Sequence, residues 1–282
     1  MAEHIHTFRL GAATVSVINL GTLRVNLAEW LRLPESAWPP RHAADLRQPL
    51  HVPMQAIHIA LGDASILVDP CDVQSIAESS FAPPDYQPPP DLLHQLARLG
   101  APPEEITHVV ITHAHFDHYS GITIWDGSAR RPAFPRARHF LGRADWEMSF
   151  DNLQDPASLQ SRALGMVERH GLLELVESPY DAGGGVQLLP GPGETPGHLL
   201  LRLHSQGETL YCVGDLYHHP IEAEHPEWMV SWADPEANQR SRQALLEAAV
   251  REQALLIASH IPTVGRLQLA PTRITWHANL DL

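Results

Sequence analysis

The sequence contains no lysine, so all 19 of its basic residues are arginine. Chemistry that requires a lysine amine, such as Schiff-base formation, is therefore excluded. The 33 acidic residues give a formal net charge of -14, and the sequence has no dense basic run. Because neutralisation of phosphates supplies most of the affinity of proteins for nucleic acids, we expect no nucleic-acid partner.

Cysteines and long apolar runs are also scarce. Cys71 and Cys212 are the only cysteines and lie far apart, so the sequence predicts neither a disulfide framework nor a cysteine-rich zinc site. No stretch approaches the roughly 18 apolar residues of a membrane helix, and the N-terminal residues lack the basic and apolar regions of a signal peptide. These absences favour a cytoplasmic protein with no membrane partner.

The composition is typical of a globular protein. Of the 282 residues, 44% are hydrophobic and 18% are charged, which is far from the composition of disordered chains. Strand-like and helix-like patterns alternate along the chain without an internal repeat. This order favours an α/β fold, and we expect residues 1–282 to form a single domain.

Hydrophobic periodicity and turn residues predict the individual elements. The opening segment, residues 7–21, predicts a hairpin or two short strands, and Gly62-Asp63 is typical of a hairpin turn between two further strands. Asp91 and Gly100 are typical residues for the start and the end of a helix. The predicted strands are 54–60, 65–69, 107–112, 186–190, 199–204, 208–213 and 254–258, and the predicted helices are 91–100 and 235–253.

Two segments are less regular. Residues 22–53 lose their periodicity and contain Trp30 and Trp38; we interpret them as an irregular loop or arm, packed on the surface rather than closing over a substrate, and an exposed aromatic arm could form a dimer contact. Residues 142–170 have helical spacing broken at Pro156. We interpret them as a helical insertion near the site, whose apolar side chains are more often core than pocket lining.

The strongest chemical signal is a cluster at residues 113–118, H-A-H-F-D-H, directly after the buried strand 107–112. Four of its six residues have side chains of the kind that bind metals, namely His113, His115, Asp117 and His118. A loop at the carboxyl end of a strand is where α/β folds place chemistry. Imidazole and carboxylate together suit zinc, iron, manganese or cobalt, whereas calcium and magnesium prefer oxygen ligands.

Three further candidate ligands lie downstream in matching positions. His198 follows the turn G-P-G-E-T-P-G and precedes a strand, while Asp215 and His260 each follow the end of a predicted strand. A site built along one edge of a sheet would draw its ligands from such positions. His204, His219, His225 and His277 lack this arrangement and are left out.

These motifs resemble those of the metallo-β-lactamase superfamily. The resemblance rests on H-A-H-F-D-H, T-P-G-H, the G-D strand end and the A-S-H strand end, and it spans residues 57–265, with L-V-D at 67–69 similar to the strand before the first motif. Within the superfamily, G-D-L-Y-H-H-P and S-H-I-P-T-V-G-R-L are similar to the branch of N-acyl-homoserine lactonases and methyl-parathion-hydrolase-like enzymes. The resemblance implies an αββα four-layer sandwich.

The resemblance also implies roles for the candidate ligands. One metal ion would be held by His113, His115 and His198, the other by Asp117, His118 and His260, with Asp215 bridging the two. Asp69 is expected behind the ligands, where hydrogen bonds orient them. The expected cofactors are two divalent transition-metal ions, most simply Zn2+, with manganese, iron or cobalt as alternatives.

The implied activity is hydrolysis of a small ester or lactone by a hydroxide that bridges the two ions, since paired ions lower the pKa of water from about 15.7 towards about 7. Asp117 would carry the proton to the leaving oxygen. In the similar lactonases, a tyrosine three residues after the bridging aspartate supports the substrate carbonyl. Here that position is His218 and Tyr217 precedes it, and either side chain could donate the hydrogen bond.

Other functions remain open at this point. An organophosphate or phosphoester hydrolase of the same fold would use the same ligands. A di-iron redox protein would be revealed by metal analysis and by consumption of oxygen or nitric oxide, and a non-catalytic binding module by the absence of turnover. The substrate is expected to be a small molecule, and related proteins suggest a homodimer.

Overall fold

A computed structural model describes residues 4–271 and 273–279 of the chain. Its strands form two seven-stranded sheets and one small two-stranded sheet. In chain order the strands are β1 (Ile5–Leu10), β2 (Ala13–Val25), β3 (Leu50–Leu61), β4 (Ala64–Val68), β5 (His108–Val110), β6 (Thr123–Trp125), β7 (Arg130–Pro132), β8 (Arg138–Gly142), β9 (Leu173–Val176), β10 (Tyr180–Gly183), β11 (Val186–Pro190), β12 (Leu199–Ser205), β13 (Glu208–Cys212), β14 (Leu255–Ile257), β15 (Gly265–Ala270) and β16 (Arg273–Ala278).

The α-helices of the described residues are mostly short. They are α1 (Leu27–Trp30), α2 (Ala43–Arg47), α3 (Val73–Ala77), α4 (Leu92–Arg98), α5 (Phe116–Tyr119), α6 (Arg143–Met148), α7 (Phe150–Gln154), α8 (Leu159–Arg162), α9 (Leu164–Arg169), α10 (Ile221–Glu224) and α11 (Pro235–Glu252). None of these helices has the length and apolar character that crossing a membrane requires.

The first sheet has the order β1-β2-β3-β4-β5-β8-β9. Its first four strands are antiparallel to their neighbours, and β4, β5, β8 and β9 run parallel. The second sheet has the order β10-β11-β12-β13-β14-β15-β16, in which β13 and β14 are the parallel pair. The carboxyl ends of the parallel strands are therefore available to form a common site.

Alternation of side chains along the strands builds separate cores. Ile57 and Ile59 of β3 pack with Leu201 and Leu203 of β12 in the core between the two sheets, whereas Met54 of β3 packs in the core on the opposite face of the first sheet. Successive side chains of a strand point to opposite faces. Each sheet thus buries one face against the other sheet and its second face against helices.

The helices complete the outer layers. Leu96 of α4 and Val167 of α9 pack in the core of the first sheet's outer face. Leu245 and Ala249 of α11 pack with Leu256 of β14 on the outer face of the second sheet. The order of layers is helix, sheet, sheet, helix, so the predicted αββα α/β fold is confirmed.

Four of the predicted site residues follow strands that end at the same region of the sandwich. Asp69 comes directly after β4, and His113 lies in the loop after β5. Asp215 follows β13 in the second sheet, and His260 follows β14. Both sheets therefore contribute side chains to a single site.

The structure differs from the predicted elements in several regions. Residues 22–25 belong to β2 and residues 50–53 to β3, and these strands pair up to Val25 and Leu50, so the irregular segment is shorter than 22–53. A register shift between Asn19 and Gly21 interrupts the alternation that would have revealed the longer strands. The C-terminal hairpin β15–β16 was also not predicted.

Candidate metal centre

The loop after β5 brings its ligands together through one turn of helix. α5 begins at Phe116, so Asp117 and His118 follow the bend at residues 113–115 on a tight helical turn. His113 and His118 are buried almost completely, while His115 keeps about a third of its side chain exposed. This loop therefore places imidazoles and a carboxylate at the boundary between the core and solvent.

The side chains of the site form two groups that share Asp215. One group is His113, His115, Glu194 and Asp215, and the other is Asp117, His118, Asp215 and His260; within each group the candidate ligand atoms lie within 4.8 Å of one another. Asp215 Oδ2 lies 3.3 Å from His118 Nε2 and 3.2 Å from His260 Nε2. The structure thus brings together six of the seven predicted ligands.

His198 is the predicted ligand that belongs to neither group. Its ring lies 5.0 Å from that of His113, centre to centre, and its Nε2 accepts a hydrogen bond of 3.2 Å from the backbone N–H of Asp215. Glu194, four residues earlier in the same turn, occupies the first group instead. Glu194 thus stands in the first group where the prediction placed His198, and the role of His198 as a ligand stays a prediction.

Several buried polar atoms at the site have no hydrogen-bond partner among the described residues. They include His118 Nε2, Asp215 Oδ1, Glu194 Oε2 and His198 Nδ1. Buried polar atoms without partners cost free energy, whereas nitrogen and carboxylate oxygen atoms that converge in this way suit a divalent transition-metal ion. The residues present therefore fit the two metal ions that the motifs predict.

Electrostatics point to the same conclusion. Burial favours the neutral form of an imidazole, but the carboxylates of Asp215 and Asp117 outweigh burial and raise the pKa of His118 well above its usual value and that of His260 to about 9. Burial lowers the pKa of His198 to about 3. Without metal, protons on His118 and His260 thus neutralise the charge of the nearby carboxylates. Bound cations would take over this role, so metal binding should release protons.

Asp69 lies behind the ligands. Its Oδ2 accepts a hydrogen bond of 2.9 Å from His118 Nδ1, and its Oδ1 accepts one of 2.8 Å from the Thr112 backbone N–H. The Asp69 backbone adopts a left-handed conformation with φ of 51°, which a short polar residue tolerates better than most. The contact with Nδ1 leaves the Nε2 atom of His118 facing the site.

Asp145 was not predicted, yet it connects the two ligand-bearing loops. Its buried carboxylate accepts hydrogen bonds from the backbone N–H groups of Ala114 (2.8 Å) and Gly197 (2.6 Å) and from the hydroxyl of Thr195 (2.8 Å). It thereby holds the loop after β5 against the turn before β12. A single aspartate in a helix carries no sequence signal for such a role.

His218 and Tyr217 are placed very differently. His218 lines the cavity, with Nε2 3.5 Å from Asp215 Oδ2. Tyr217 is buried in the core of the second sheet, where Arg242 stacks on its ring at 4.7 Å, and it does not line the cavity. Of the two predicted donors, the structure thus places His218 at the cavity and Tyr217 in the core.

A cavity of about 700 Å³ opens above the ligand groups. His115, Asp117, Asp215, His218 and His260 form its polar base, and Leu23, Trp30, Phe81, Met148, Leu159 and Trp232 are among the residues that form its apolar wall. Trp30 therefore lines the cavity, contrary to the interpretation of residues 22–53 as only a packed surface loop. Residues 142–170 contribute both to the cavity and to the core, since Met148 lines the cavity and Leu164 belongs to the core.

Known proteins are similar in both sequence and fold. The metallo-β-lactamase superfamily matches residues 58–260. An N-acyl homoserine lactonase of Bacillus thuringiensis is 25% identical over 173 residues, 60% of this chain and 61% of the relative; one of Bacillus cereus is 28% identical over 170 residues, 58% of this chain and 60% of the relative. The chain thus matches about three fifths of the length of these curated relatives.

Two solved structures cover nearly the whole chain. The hydrolase AbOPH of the β-lactamase superfamily has a TM-score of 0.79 at 18% identity over 100% of this chain and 99% of its own. AidC, a dizinc quorum-quenching lactonase, has a TM-score of 0.77 at 19% identity over 99% and 98%. The lactonases among these proteins support the predicted branch. Since the family match covers well over half of the chain and includes both ligand groups, the chain belongs to the metallo-β-lactamase superfamily.

Proposed function

We propose that this protein is a metal-dependent hydrolase that uses two divalent transition-metal ions, zinc in the first instance, to open small lactones or esters, with N-acyl homoserine lactones as the leading substrates. The observation that carries the proposal is the sharing of Asp215 by two groups of ligands at the base of a 700 Å³ cavity. The lactonases of similar sequence and the dizinc lactonase of similar fold support it.

Each ligand group would hold one of the two ions. His113 and His115 would hold the first ion, Asp117, His118 and His260 the second, and Asp215 would contact both; His198 stays a predicted ligand of the first ion on the basis of the resemblance. Bound ions of this kind supply Lewis acidity and lower the pKa of water towards neutrality. Asp69 holds His118 through Nδ1, which fixes the nitrogen that the ligand presents.

Asp117 is the proposed proton carrier. In lactone hydrolysis water adds to the acyl carbon, the bond from this carbon to the ring oxygen breaks, and the departing oxygen takes up a proton. Burial opposes ionisation of Asp117, but His118 and His260 lower its pKa below the usual value. Asp117 is therefore ionised, and its place at the base of the cavity is what suits it to pass a proton from water to the departing oxygen.

His218 is the proposed donor to the substrate oxygen. Glu222 accepts hydrogen bonds from the backbone N–H groups of His218 (2.6 Å) and His219 (2.9 Å), and Arg242 donates to the other oxygen of Glu222 at 2.6 Å. The backbone that carries the imidazole is thus held in position. A held donor aimed at developing negative charge stabilises the transition state more than a mobile one.

The apolar wall suits an acyl chain. Trp30 contacts Phe81 and Trp232 edge to face, at ring-centre distances of 6.1 and 5.5 Å, so these rings support one another. Burial of each methylene against such a surface contributes about 0.8 kcal/mol. We expect KM to fall as the acyl chain lengthens until the cavity is filled.

Three broader proposals accompany this function. We propose that residues 1–282 act as a single domain, in which 142–170 is a helical insertion beside the site. The homodimer and the cytoplasmic location remain predictions from the sequence. Sedimentation of the purified protein and localisation of a tagged chain in cells test them.

The decisive experiment is a substrate panel with zinc-loaded protein. N-acyl homoserine lactones, aryl esters and phosphotriesters are compared by kcat/KM, with His118→Ala as the inactive reference and with oxygen consumption followed in parallel. We expect the lactones to be hydrolysed best and His118→Ala to lose the activity. Preferred hydrolysis of phosphotriesters, consumption of oxygen, or no turnover of any compound would contradict the proposal and favour a phosphoester hydrolase, a redox protein or a binding module, respectively.

A further inference from the structure

Glu194 is the one member of the two ligand groups that the sequence motifs did not indicate. It lies in the turn between β11 and β12, and its side chain is completely buried. Its carboxylate belongs to the group formed with His113, His115 and Asp215, in which the candidate ligand atoms lie within 4.8 Å of one another. Glu194 is therefore placed at the site as closely as the predicted ligands are.

The contacts of Glu194 fix one oxygen and leave the other free. Trp232 Nε1 donates a hydrogen bond of 2.5 Å to Oε1, and His115 Nδ1 lies 3.3 Å from the same oxygen. Oε2 is buried and has no hydrogen-bond partner among the described residues, with His218 Nε2 3.8 Å away. The indole thus orients the carboxylate while one oxygen keeps its full capacity as an acceptor.

A buried carboxylate without a full set of partners requires a positive charge nearby. Arg242 is buried and paired with Glu222 at 2.6 Å. The charge therefore comes from the imidazoles of His115 and His218 or from a bound cation. Glu194 borders the cavity, but its side chain has no exposed surface, which suits contact with an ion seated among the ligands better than contact with a substrate.

We infer that Glu194 is a direct ligand of the first metal ion, a carboxylate added to His113, His115 and Asp215. This inference rests on the proposed two-metal function. It gives the first site a second carboxylate beside the shared Asp215, as Asp117 gives the second site, and His198 stays a predicted further ligand of the first ion. Carboxylate oxygen favours manganese, whereas imidazole suits zinc. The second carboxylate should therefore raise the affinity of the first site for manganese more than its affinity for zinc.

The test compares Glu194→Gln with the wild type and with Glu227→Gln, which makes the same change of charge at an exposed residue. Metal-free proteins are titrated with Mn2+ and with Zn2+ against a chelator of known affinity. We expect Glu194→Gln to bind the first Mn2+ at least about tenfold more weakly, with a smaller loss for Zn2+, and Glu227→Gln to match the wild type. His198→Gln is titrated in parallel as the variant of the ligand that the resemblance implies.

A crystal structure of the metal-loaded wild type provides a second measurement that does not depend on the folding of any variant. We expect a Glu194 oxygen within about 2.0–2.2 Å of the first ion. Unchanged metal affinities in Glu194→Gln together with loss of one ion in His198→Gln, or a Glu194 carboxylate outside the coordination sphere, would overturn the inference and leave the proposed function intact. Failure of the wild type to bind either metal would instead overturn the function itself.

Discussion

Asp215 is the residue on which both ligand groups depend. Its Oδ2 lies within 3.7 Å of nitrogens on His113, His118, His218 and His260. These imidazoles, against the opposing effect of burial, hold its pKa well below the usual value. The carboxylate is therefore ionised and able to contact two cations at once.

Replacing Asp215 with Asn tests this dependence. The amide keeps the shape of the side chain but removes the negative charge that both ions share, so we expect the protein to retain one ion or fewer. Loss of a residue that only hydrogen-bonds to a metal ligand already lowers metal affinity or activity about 10- to 100-fold. For Asp215→Asn we therefore expect kcat/KM to fall at least about 100-fold. Asp63→Asn, on the exposed hairpin turn between β3 and β4, is the control. Two ions in Asp215→Asn by mass spectrometry would contradict the bridging role.

Asp69 allows a milder test at the same scale. Asp69→Asn keeps an oxygen that can accept the hydrogen bond from Thr112 but weakens the hold on His118 Nδ1. We expect metal affinity to fall about 10- to 100-fold, as measured by competition with a chelator. The result expected of a residue with only a packing role is a lower melting temperature at unchanged metal affinity.

The sequence revealed the site residues unevenly. His113, His115, Asp117 and His118 lie within six positions, and Asp215 and His260 follow strands, so local pattern was sufficient to find them. Glu194 and Asp145 act through contacts with residues distant in sequence, Trp232 and Ala114 among them. Such contacts become visible only when the chain is folded.

Among the elements of the fold, α6 connects the two ligand-bearing loops, because Asp145 at its start accepts hydrogen bonds from both of them. Close packing supports this connection: a Cβ atom on Gly142, at the end of β8, would lie 2.0 Å from the Gly197 carbonyl oxygen. The end of β8 therefore approaches the turn before β12 more closely than any side chain would allow. The geometry of the site depends on this contact between the two sheets.

Asp145→Asn is expected to weaken the connection between the loops. An amide nitrogen replaces one accepting oxygen and faces a donor, so one of the hydrogen bonds to a charged group, each worth about 1.5–3 kcal/mol, is lost. We expect the free energy of unfolding in urea to fall by about 1.5–3 kcal/mol and metal affinity to weaken with it. Asp151→Asn, at an exposed position of α7, should change neither quantity; equal behaviour of the two variants would show that Asp145 does not hold the loops.

Most strands could be predicted where side chains alternate or where a strand is entirely apolar. β3, β4, β11, β12 and β13 lie at or within a few residues of the predicted bounds. The strands that were not predicted are short or carry polar residues, and they depend on a partner strand; they are β6, β7, β8, β9, β10, β15 and β16. These strands form because they pair with segments distant in sequence. The periodicity of hydrophobic residues along the sequence gives no information about such pairing.

At the scale of the whole molecule, stability should depend on pH through buried neutral histidines. His139 of β8 is buried, and burial lowers its pKa from 6.5 to about 4. A group whose pKa is lower in the folded state contributes stability above pH 6.5, where it is neutral in both states, and loses that contribution as pH falls towards 4. For His139 the loss amounts to about 3 kcal/mol by pH 4.

His139→Asn should remove this pH dependence. Urea denaturation of wild type and variant between pH 7 and pH 4 is expected to show the wild type losing about 3 kcal/mol more than the variant. His94→Asn, at an exposed position of α4, should follow the wild type. Parallel curves for wild type and His139→Asn would show that His139 takes up its proton without cost in the folded protein.

The whole sandwich serves to bring side chains from the carboxyl ends of strands in both sheets around a pair of cations. Counting metal ions in the purified wild type tests this most directly. After saturation with zinc and removal of loosely bound metal, mass spectrometry of the native protein should find two ions per chain. One ion or none would contradict the two-metal site.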